Sequence, residues 1–210
     1  MIIELKHVKP KYMSELEISS SDIFMQQKIC FEKGKKYLVI AKSGHGKTSL
    51  LNFINYVNLS FDGEINYTNC KTNNKKFDLR INRISYVSQE FRLFPELSLI
   101  ENIELKNNLT KHKTIEEINE LIDQIGLSDK KHCLLKTFSF GEKQRVAIIR
   151  ALCQPFDFIL LDEPFSHLDS INIKLLTKII NQEIELRNAG LLLTSLEKIN
   201  YFKFDKVLNL

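Results

Sequence analysis

A short apolar strand that passes through a loop of small residues into a helix constrains this chain more than any other feature. The stretch Tyr37–Leu51 reads YLVIAKSGHGKTSLL, and its first four residues have the composition of a buried strand. Gly44 and Gly46 allow backbone N–H groups to turn inward, and the N-terminus of a helix predicted over residues 49–56 adds partial positive charge at the same place. The arrangement predicts a site that cradles the phosphates of a nucleotide.

Each position of this loop has an expected task. Lys47 would reach the terminal phosphates, and the Thr48 hydroxyl would complete the coordination of Mg²⁺. Ala41 stands where the full pattern begins with glycine, which is harmless at negative φ and costs about 1–2 kcal/mol at positive φ. Taken alone, the stretch also fits a glycine-containing turn before a helix. The candidate nucleotide-binding residues of the loop are Ser43, Gly44, His45, Gly46, Lys47, Thr48 and Ser49.

Composition excludes several classes of protein. The chain has 210 residues and a net charge of +4, with basic and acidic residues interleaved, so no nucleic-acid partner is expected. The 4 cysteines show no metal-binding spacing and are expected to be free thiols. The sequence contains no run of about eighteen apolar residues, so no membrane span is predicted. No signal peptide is visible at the N-terminus.

The order of predicted elements indicates one α/β domain over residues 1–210, with a core of residues 1–88 and 151–210. A helical subdomain at about 89–150, called the insert below, interrupts this core. A polar loop is predicted at 68–76, and a capping box at Thr114 with Glu117 opens a helix whose apolar face carries Ile115 and ends at Gly126. Strands are predicted at 1–7, 23–31, 37–40, 65–67, 84–88, 158–161, 191–195 and 207–210, and further helices at 139–152 and 171–186.

Two acids follow the apolar strand at 158–161. Asp162 is expected to hold Mg²⁺, directly or through water, and Glu163 to orient and deprotonate an attacking water. Acid pairs at strand ends are common, so this pair alone does not settle the function. Three further stretches are informative: Gln89 closes the strand before the insert, residues 139–145 open a helix, and residues 166–169 follow the acids.

Taken in this order, the motifs resemble those of the ATP-binding cassette (ABC) ATPases, and the resemblance covers essentially the whole chain. Residues 138–145, FSFGEKQR, are similar to the family's signature helix LSGGEKQR, with Phe140 in place of the first glycine. Gln89 matches the Q-loop glutamine, Asp162 and Glu163 match the second Walker motif, and Tyr12 lies where the family stacks an aromatic ring on adenine. The resemblance implies a P-loop NTPase of ABC-ATPase type, with a mixed sheet core, a helical subdomain and an N-terminal antiparallel β part.

The family's activity is carried over residue by residue. The resemblance implies ATP and Mg²⁺ as cofactors, with Glu163, Gln89 and Lys47 in hydrolysis and Thr48, Gln89 and Asp162 at the metal. It implies a head-to-tail dimer with a second copy or a paralogous cassette, in which Ser139 and Gly141 of one subunit face the γ-phosphate held by the other. It also implies an integral membrane permease as partner and a cytoplasmic location on the inner face of the cell membrane. Within the family, the chain is similar to the compact bacterial cassettes of the lipoprotein-release, macrolide-efflux and cell-division type.

Three departures from the family pattern bear on activity. Ala41, Phe140 and Ser195, which occupies the position of the switch histidine, would each weaken hydrolysis without abolishing binding. A non-hydrolysing nucleotide sensor is therefore one alternative. A second alternative, which does not depend on these departures, is a soluble cassette acting on nucleic acid or ribosomes. Tyr12 also fits a surface aromatic, and four apolar residues after Gln89 fit either core or a docking surface: Phe91, Leu93, Phe94 and Leu97.

Overall fold

The computed structural model describes residues 1–69 and 75–210, with no side-chain description for Lys75. Residues 70–74 of the predicted polar loop lie outside the described residues. The strands form two sheets. Three antiparallel strands, in the order β2-β1-β4, form the first: β1 Ile2–Pro10, β2 Lys28–Glu32 and β4 Phe61–Thr68.

The second sheet is parallel throughout and has five strands in the order β5-β6-β7-β3-β8. Its strands are β3 Lys36–Ile40, β5 Ile84–Val87, β6 Phe158–Asp162, β7 Gly190–Ser195 and β8 Lys206–Asn209. The continuous apolar run of β6 is buried along its whole length, as expected for a strand covered on both faces.

Side chains alternate between two apolar cores across this sheet. In β6, Phe158 and Leu160 pack toward the three-stranded sheet, whereas Ile159 and Leu161 pack toward the helical part of the chain. The core on the helical side continues without a break into the predicted insert, through residues such as Leu99 and Ile118. The insert therefore shares its packing with the sheet.

The helices are α1 Glu15–Ile18, α2 Lys47–Ile54, α3 Lys75–Asp78, α4 Leu99–Asn107, α5 Ile115–Gln124, α6 Phe140–Leu152 and α7 Ser170–Arg187. A π-helical turn, Leu79–Arg83, follows α3, and two 3₁₀ turns, Ser128–Lys130 and Leu135–Thr137, lie between α5 and α6. Within the described ranges, no helix is long and apolar enough to span a membrane.

The predicted capping box of α5 is confirmed. The Thr114 Oγ1 accepts a hydrogen bond from the Glu117 N–H at 3.2 Å, and the Glu117 carboxylate accepts one from the Thr114 N–H at 2.8 Å. Gly126 follows the helix with φ +66°, which glycine adopts without strain. The predicted apolar face is buried at Ile118 and Ile122, whereas Ile115, in the first turn, is 43% exposed.

The predicted strand at 23–31 is wrong in its first half, since β2 begins at Lys28. The Oγ of Ser21 accepts hydrogen bonds from the N–H groups of Ile23 at 3.1 Å and Phe24 at 2.8 Å, which holds a turn there instead. Ile23 and Phe24 are nevertheless buried, whereas Met25 is 48% exposed. The apolar residues that suggested a strand there thus reflect core packing of Ile23 and Phe24.

Candidate nucleotide-binding and catalytic site

Parallel strands bring the phosphate loop, Gln89 and the two acids Asp162 and Glu163 to one edge of the five-stranded sheet. The loop after β3, Gln89 after β5, and the ends of β6 and β7 all lie at the carboxyl ends of their strands, the usual position of ligand sites in such sheets. A cavity of about 280 Å³ at this edge is lined by Ser43, Gly44, Gly46, Lys47, Thr48, Ser49, Gln89, Glu163 and Leu196.

The loop has the backbone that its glycines predict. Gly44 and Gly46 have φ values of +82° and +88°, and Gly46 caps the N-terminus of α2. A Cβ atom at Gly46 would lie 3.2 Å from the ring of Phe24, so the position is crowded as well as left-handed. Ala41 does not have a positive φ, and its methyl group is buried. Replacing glycine by alanine there therefore carries no left-handed backbone cost.

The Lys47 ammonium is buried within the loop. Its Nζ donates hydrogen bonds to the carbonyl oxygens of Ala41 at 2.6 Å and Lys42 at 2.9 Å. The same atom lies 3.3 Å from Oε1 of Glu163, and the two side chains are 4% and 12% exposed. Lys47 of the loop and Glu163, the residue after β6, thus form a direct ion pair.

Asp162 is held by two hydroxyl groups. Its carboxylate accepts a hydrogen bond from Thr48 Oγ1 at 2.7 Å and another from Thr194 Oγ1 at 2.7 Å. Thr194 Oγ1 also accepts the Glu163 N–H at 3.2 Å, and Glu163 itself has φ +48°. Left-handed backbone at a non-glycine residue is costly and is found disproportionately at functional sites.

Thr194 is the site residue that sequence reasoning missed. It is fully buried and connects both acids, although the sequence drew attention to its neighbour Ser195. The sequence did contain a signal for Thr194. It lies at the end of a predicted strand, one residue before Ser195, and its hydroxyl could form a hydrogen bond to an acid on an adjacent strand.

The oxygen donors present fit a magnesium ion. The Thr48 hydroxyl, the Asp162 carboxylate and the Gln89 side chain meet at this edge, and hard cations prefer such ligands. In the described part of the chain, no group of three or more His, Cys, Asp or Glu side chains could hold a metal ion. A magnesium ion here would therefore rely on phosphate oxygens and water for its remaining ligands, as this ion commonly does.

Tyr12 and His45 lie at the exposed side of the loop. The Tyr12 hydroxyl donates a hydrogen bond to Ser49 Oγ, while 54% of the Tyr12 residue is exposed. His45 is exposed, and its Nδ1 lies 3.0 Å from the carbonyl oxygen of Ser43. Tyr12 is thus tied to the first turn of α2 with its ring accessible, a placement compatible with both interpretations of this residue.

Ser195 does not line the cavity of the phosphate loop. It lines a neighbouring cavity of about 520 Å³ together with Glu163 and Thr194. The Ser195 Oγ accepts a hydrogen bond from the Glu197 N–H at 3.4 Å, and the Ser195 carbonyl accepts one from the Ala41 N–H at 3.2 Å.

Ser139 and Gly141 lie apart from this chain's phosphate loop, at the N-terminus of α6. Ser139 caps the helix by accepting the Glu142 N–H at 3.3 Å. Between them, Phe140 is 48% exposed, and its ring centroid lies 4.8 Å from that of Phe91 and 4.2 Å from that of His167. The aromatic ring that replaces glycine therefore packs against two other segments of its own chain.

A model of the ABC transporter family matches residues 24–166. Among curated proteins, the chain is 35% identical over 166 residues to the glutamate/aspartate import ATP-binding protein GltL of Escherichia coli K12, covering 76% of this chain and 68% of that protein. It is 32% identical over 181 residues to the lipoprotein-releasing system ATP-binding protein LolD of Francisella tularensis, covering 81% and 76% of the two chains.

Solved structures give the same match. The ATP-binding cassette MJ0796, in a dimeric post-hydrolysis state bound to ADP and Pi, superimposes with a TM-score of 0.75 at 25% identity. The match covers 93% of this chain and 88% of that one.

Proposed function

Because the chain belongs to the ABC transporter family and is one of its ATPases, we propose that it binds ATP with Mg²⁺ at the phosphate-loop cavity and hydrolyses it to drive a separate membrane permease. The observation that carries the proposal is the convergence of Lys47, Thr48, Gln89, Asp162 and Glu163 at one edge of the parallel sheet.

Each of these side chains has a task that its position supports. Lys47 binds the terminal phosphates, exchanging its contacts with the carbonyl oxygens of Ala41 and Lys42 for phosphate oxygens. Glu163 orients the attacking water and accepts its proton, and Gln89 lies on the wall of the same cavity, where it can position that water. When bound, Mg²⁺ neutralises charge on the phosphate oxygens, and Thr48 and Asp162 are the residues that would hold it.

The second half of the ATP site would come from another subunit. Ser139 and Gly141 lie at the exposed N-terminus of a 13-residue helix, where hydroxyl and N–H groups are suited to a γ-phosphate. The dimeric state of the MJ0796 cassette supports this arrangement. We propose a head-to-tail dimer with a second copy or a paralogous cassette.

We propose a membrane partner from the names of the relatives. GltL and LolD are named as ATP-binding proteins of import and lipoprotein-releasing systems. We propose that this chain likewise works on the cytoplasmic face of a cell membrane, bound peripherally to an integral permease. No specific observation favours the soluble cassette acting on nucleic acid or ribosomes.

The departures from the family pattern bear on rate rather than on binding. Ala41 carries no left-handed backbone cost, so slow hydrolysis, if observed, would come from Phe140 and Ser195. Serine can donate or accept a hydrogen bond but cannot supply a cationic imidazolium.

One set of experiments tests the proposal. Purified protein should release phosphate from ATP in the presence of Mg²⁺ and stop when the metal is chelated. The Glu163→Gln variant should form an ATP-dependent dimer on gel filtration with light scattering, and pull-down from detergent-solubilised membranes should recover an integral membrane protein. ATP binding without metal-dependent release of phosphate would favour the nucleotide-sensor alternative.

A further inference from the structure

His167 is an exposed residue of the loop between β6 and α7. The centroid of its imidazole ring lies 4.2 Å from that of the Phe140 ring. A Cβ atom at Gly141 would lie 3.4 Å from the carbonyl oxygen of His167, so the loop backbone also runs close to the first turn of α6. His167 therefore lies at the same helix end as Ser139 and Gly141.

One ring nitrogen of His167 is held by the preceding residue. The Nδ1 atom lies 2.8 Å from Ser166 Oγ, and the Ser166 hydroxyl donates a hydrogen bond to the carbonyl oxygen of Glu163 at 3.3 Å. Because a serine hydroxyl has a single proton, its oxygen accepts the hydrogen bond from Nδ1–H. In the described part of the chain, the opposite ring nitrogen, Nε2, has no hydrogen-bond partner. Nε2 is thus free to bind a group outside this chain.

The wall of the catalytic site formed by the end of β7 contains no imidazole. Ser195, at the position of the switch histidine, lines the cavity of about 520 Å³ together with Glu163, Thr194 and Ser166. None of the described residues that line this cavity is a lysine, an arginine or a histidine. On this side, a γ-phosphate bound at the phosphate loop would have no cationic side chain from its own subunit.

We propose that His167 supplies an imidazole across the dimer and binds the γ-phosphate held by the partner subunit. The inference rests on the proposed function and adds a residue to the same ATP site. Ser139 and Gly141 approach that phosphate with hydroxyl and N–H groups, and Nε2 of His167 adds a third donor at the same helix end. A protonated imidazole forms a charge-assisted hydrogen bond with a phosphate oxygen, which is stronger than a neutral one.

The two imidazole positions are alternatives in this arrangement. A histidine at residue 195 would reach the γ-phosphate from the subunit that holds the ATP, whereas His167 reaches it from the opposite subunit. His167 stabilises negative charge on the phosphate oxygens and takes no proton from the attacking water, which remains the task of Glu163. The bond from Nδ1–H to Ser166 keeps Nε2 directed away from its own loop.

The first test is a series of substitutions at His167. His167→Ala should lower kcat for ATP hydrolysis by at least about tenfold, because removal of one donor from developing negative charge commonly costs that much or more. Glutamine places an amide N–H near the position of Nε2, whereas asparagine places one near Nδ1. His167→Gln should therefore keep more activity than His167→Asn, and the exposed control His132→Ala should behave as wild type.

A purely structural role of the Ser166 contact predicts the reverse order, since asparagine would preserve that hydrogen bond. Higher activity of His167→Asn than of His167→Gln would therefore overturn the proposal, as would wild-type turnover of His167→Ala.

Mixed dimers test whether His167 acts across the interface. Glu163→Gln and His167→Ala subunits are mixed before ATP and Mg²⁺ are added, and phosphate release is measured. One site of a mixed dimer then combines an intact Glu163 with an intact His167 from the other subunit, and the second site lacks both groups. The mixture should release phosphate faster than the average of the two separate variants. If His167 served its own subunit, each site would lack one group, and a mixture no faster than that average would overturn the proposal.

The last test exchanges one imidazole for the other. Ser195→His should raise the turnover of His167→Ala by a larger factor than it raises that of wild type. Equal factors in the two backgrounds would overturn the exchange. If wild-type protein releases no phosphate from ATP, the proposed function fails and this inference falls with it, whereas equal turnover of wild type and His167→Ala removes the inference alone.

Discussion

The Nζ atom of Lys47 lies 3.3 Å from Oε1 of Glu163, which joins the cation expected at the terminal phosphates to the base expected at the attacking water. Both side chains are largely buried, so solvent screens the pair little. Incoming phosphates would compete with Glu163 for the same ammonium. Binding of ATP would therefore weaken the ion pair between Lys47 and Glu163 and leave the Glu163 carboxylate available for water.

Lys47→Ala is expected to lower ATP affinity at least tenfold, about 1.4 kcal/mol. The variant loses the phosphate-binding cation and leaves the Glu163 carboxylate unpaired beside the phosphates. Equilibrium binding of a labelled nucleotide measures the effect. The control is Lys42→Ala, since Lys42 is exposed and contacts Lys47 through its backbone carbonyl. Equal affinities of wild type and Lys47→Ala would remove the central claim.

Glu163→Gln is expected to leave ATP bound but to slow turnover by roughly 10²–10⁴, the usual contribution of acid–base assistance. The amide keeps the size of the side chain but cannot take a proton from water. Steady-state phosphate release and nucleotide affinity should therefore separate in this variant. Turnover equal to wild type would mean that another group activates the water.

Thr194→Val is expected to lower both Mg²⁺-dependent ATP affinity and turnover. Valine keeps the shape of the side chain but removes the hydroxyl that bonds the Asp162 carboxylate at 2.7 Å and accepts the Glu163 N–H at 3.2 Å. We expect a loss of stability of about 1–3 kcal/mol, because buried groups lose their partner.

Thr177→Val is the matched control for this prediction. Its Oγ1 is buried without a hydrogen-bond partner among the described residues, so removal of that hydroxyl should be neutral or stabilising. Thermal unfolding and ATP binding of both variants, measured side by side, check the pair. Equal behaviour of the two valine variants would contradict the bridging role of Thr194.

Local sequence signals predicted most of the elements that position the site. The capping box at Thr114 and the apolar run of β6 depend on nearest neighbours along the chain, so the sequence alone suffices for them. The motifs also placed Lys47, Gln89 and Glu163 together at one cavity.

Relations between neighbouring strands were beyond sequence reasoning. Thr194 bonds Asp162 because β7 lies beside β6 in a register that pairs the two residues, and no local pattern encodes that register. The consequence of Ala41 depended on the sign of one backbone angle. The boundary of β2 depended on hydrogen bonds that the Ser21 hydroxyl oxygen accepts from the Ile23 and Phe24 N–H groups, which compete with strand formation.

Ser195→His and Phe140→Gly test whether the departures from the family pattern slow hydrolysis. An imidazole at residue 195 would add a group able to orient the γ-phosphate or water, and glycine at residue 140 would let the partner's nucleotide approach the helix more closely. We expect each variant to raise turnover, measured as phosphate release.

Phe140→Gly also removes ring contacts with Phe91 and His167, so its melting temperature should fall. Phe140→Ala, which keeps better helix propensity than glycine, separates the loss of packing from the gain in access. If none of these variants raises turnover, alone or combined with Ser195→His, the hypothesis that the departures weaken the site is contradicted.

Phe94→Asp is expected to lower co-purification with the membrane subunit while leaving ATP binding intact. The sequence left Phe91, Leu93, Phe94 and Leu97 open between core and docking surface. The structure separates them: Phe91 is 6% exposed, Phe94 is 54% exposed, and Leu93 and Leu97 are partly buried. Helix-in-groove docking depends on a few apolar anchors, and Phe94 is the accessible one of this loop.

Phe91→Asp is the contrasting variant. A carboxylate at this buried position should unfold the insert or sharply lower the melting temperature. The free energy of unfolding of Phe94→Asp should stay within about 0.5 kcal/mol of wild type, as is usual for surface substitutions. Membrane recovery and melting temperature are measured on both variants. A folded Phe94→Asp protein that still recovers the membrane subunit at the wild-type level would rule out docking at Phe94, because a carboxylate there would expose the partner's apolar contact to a charge.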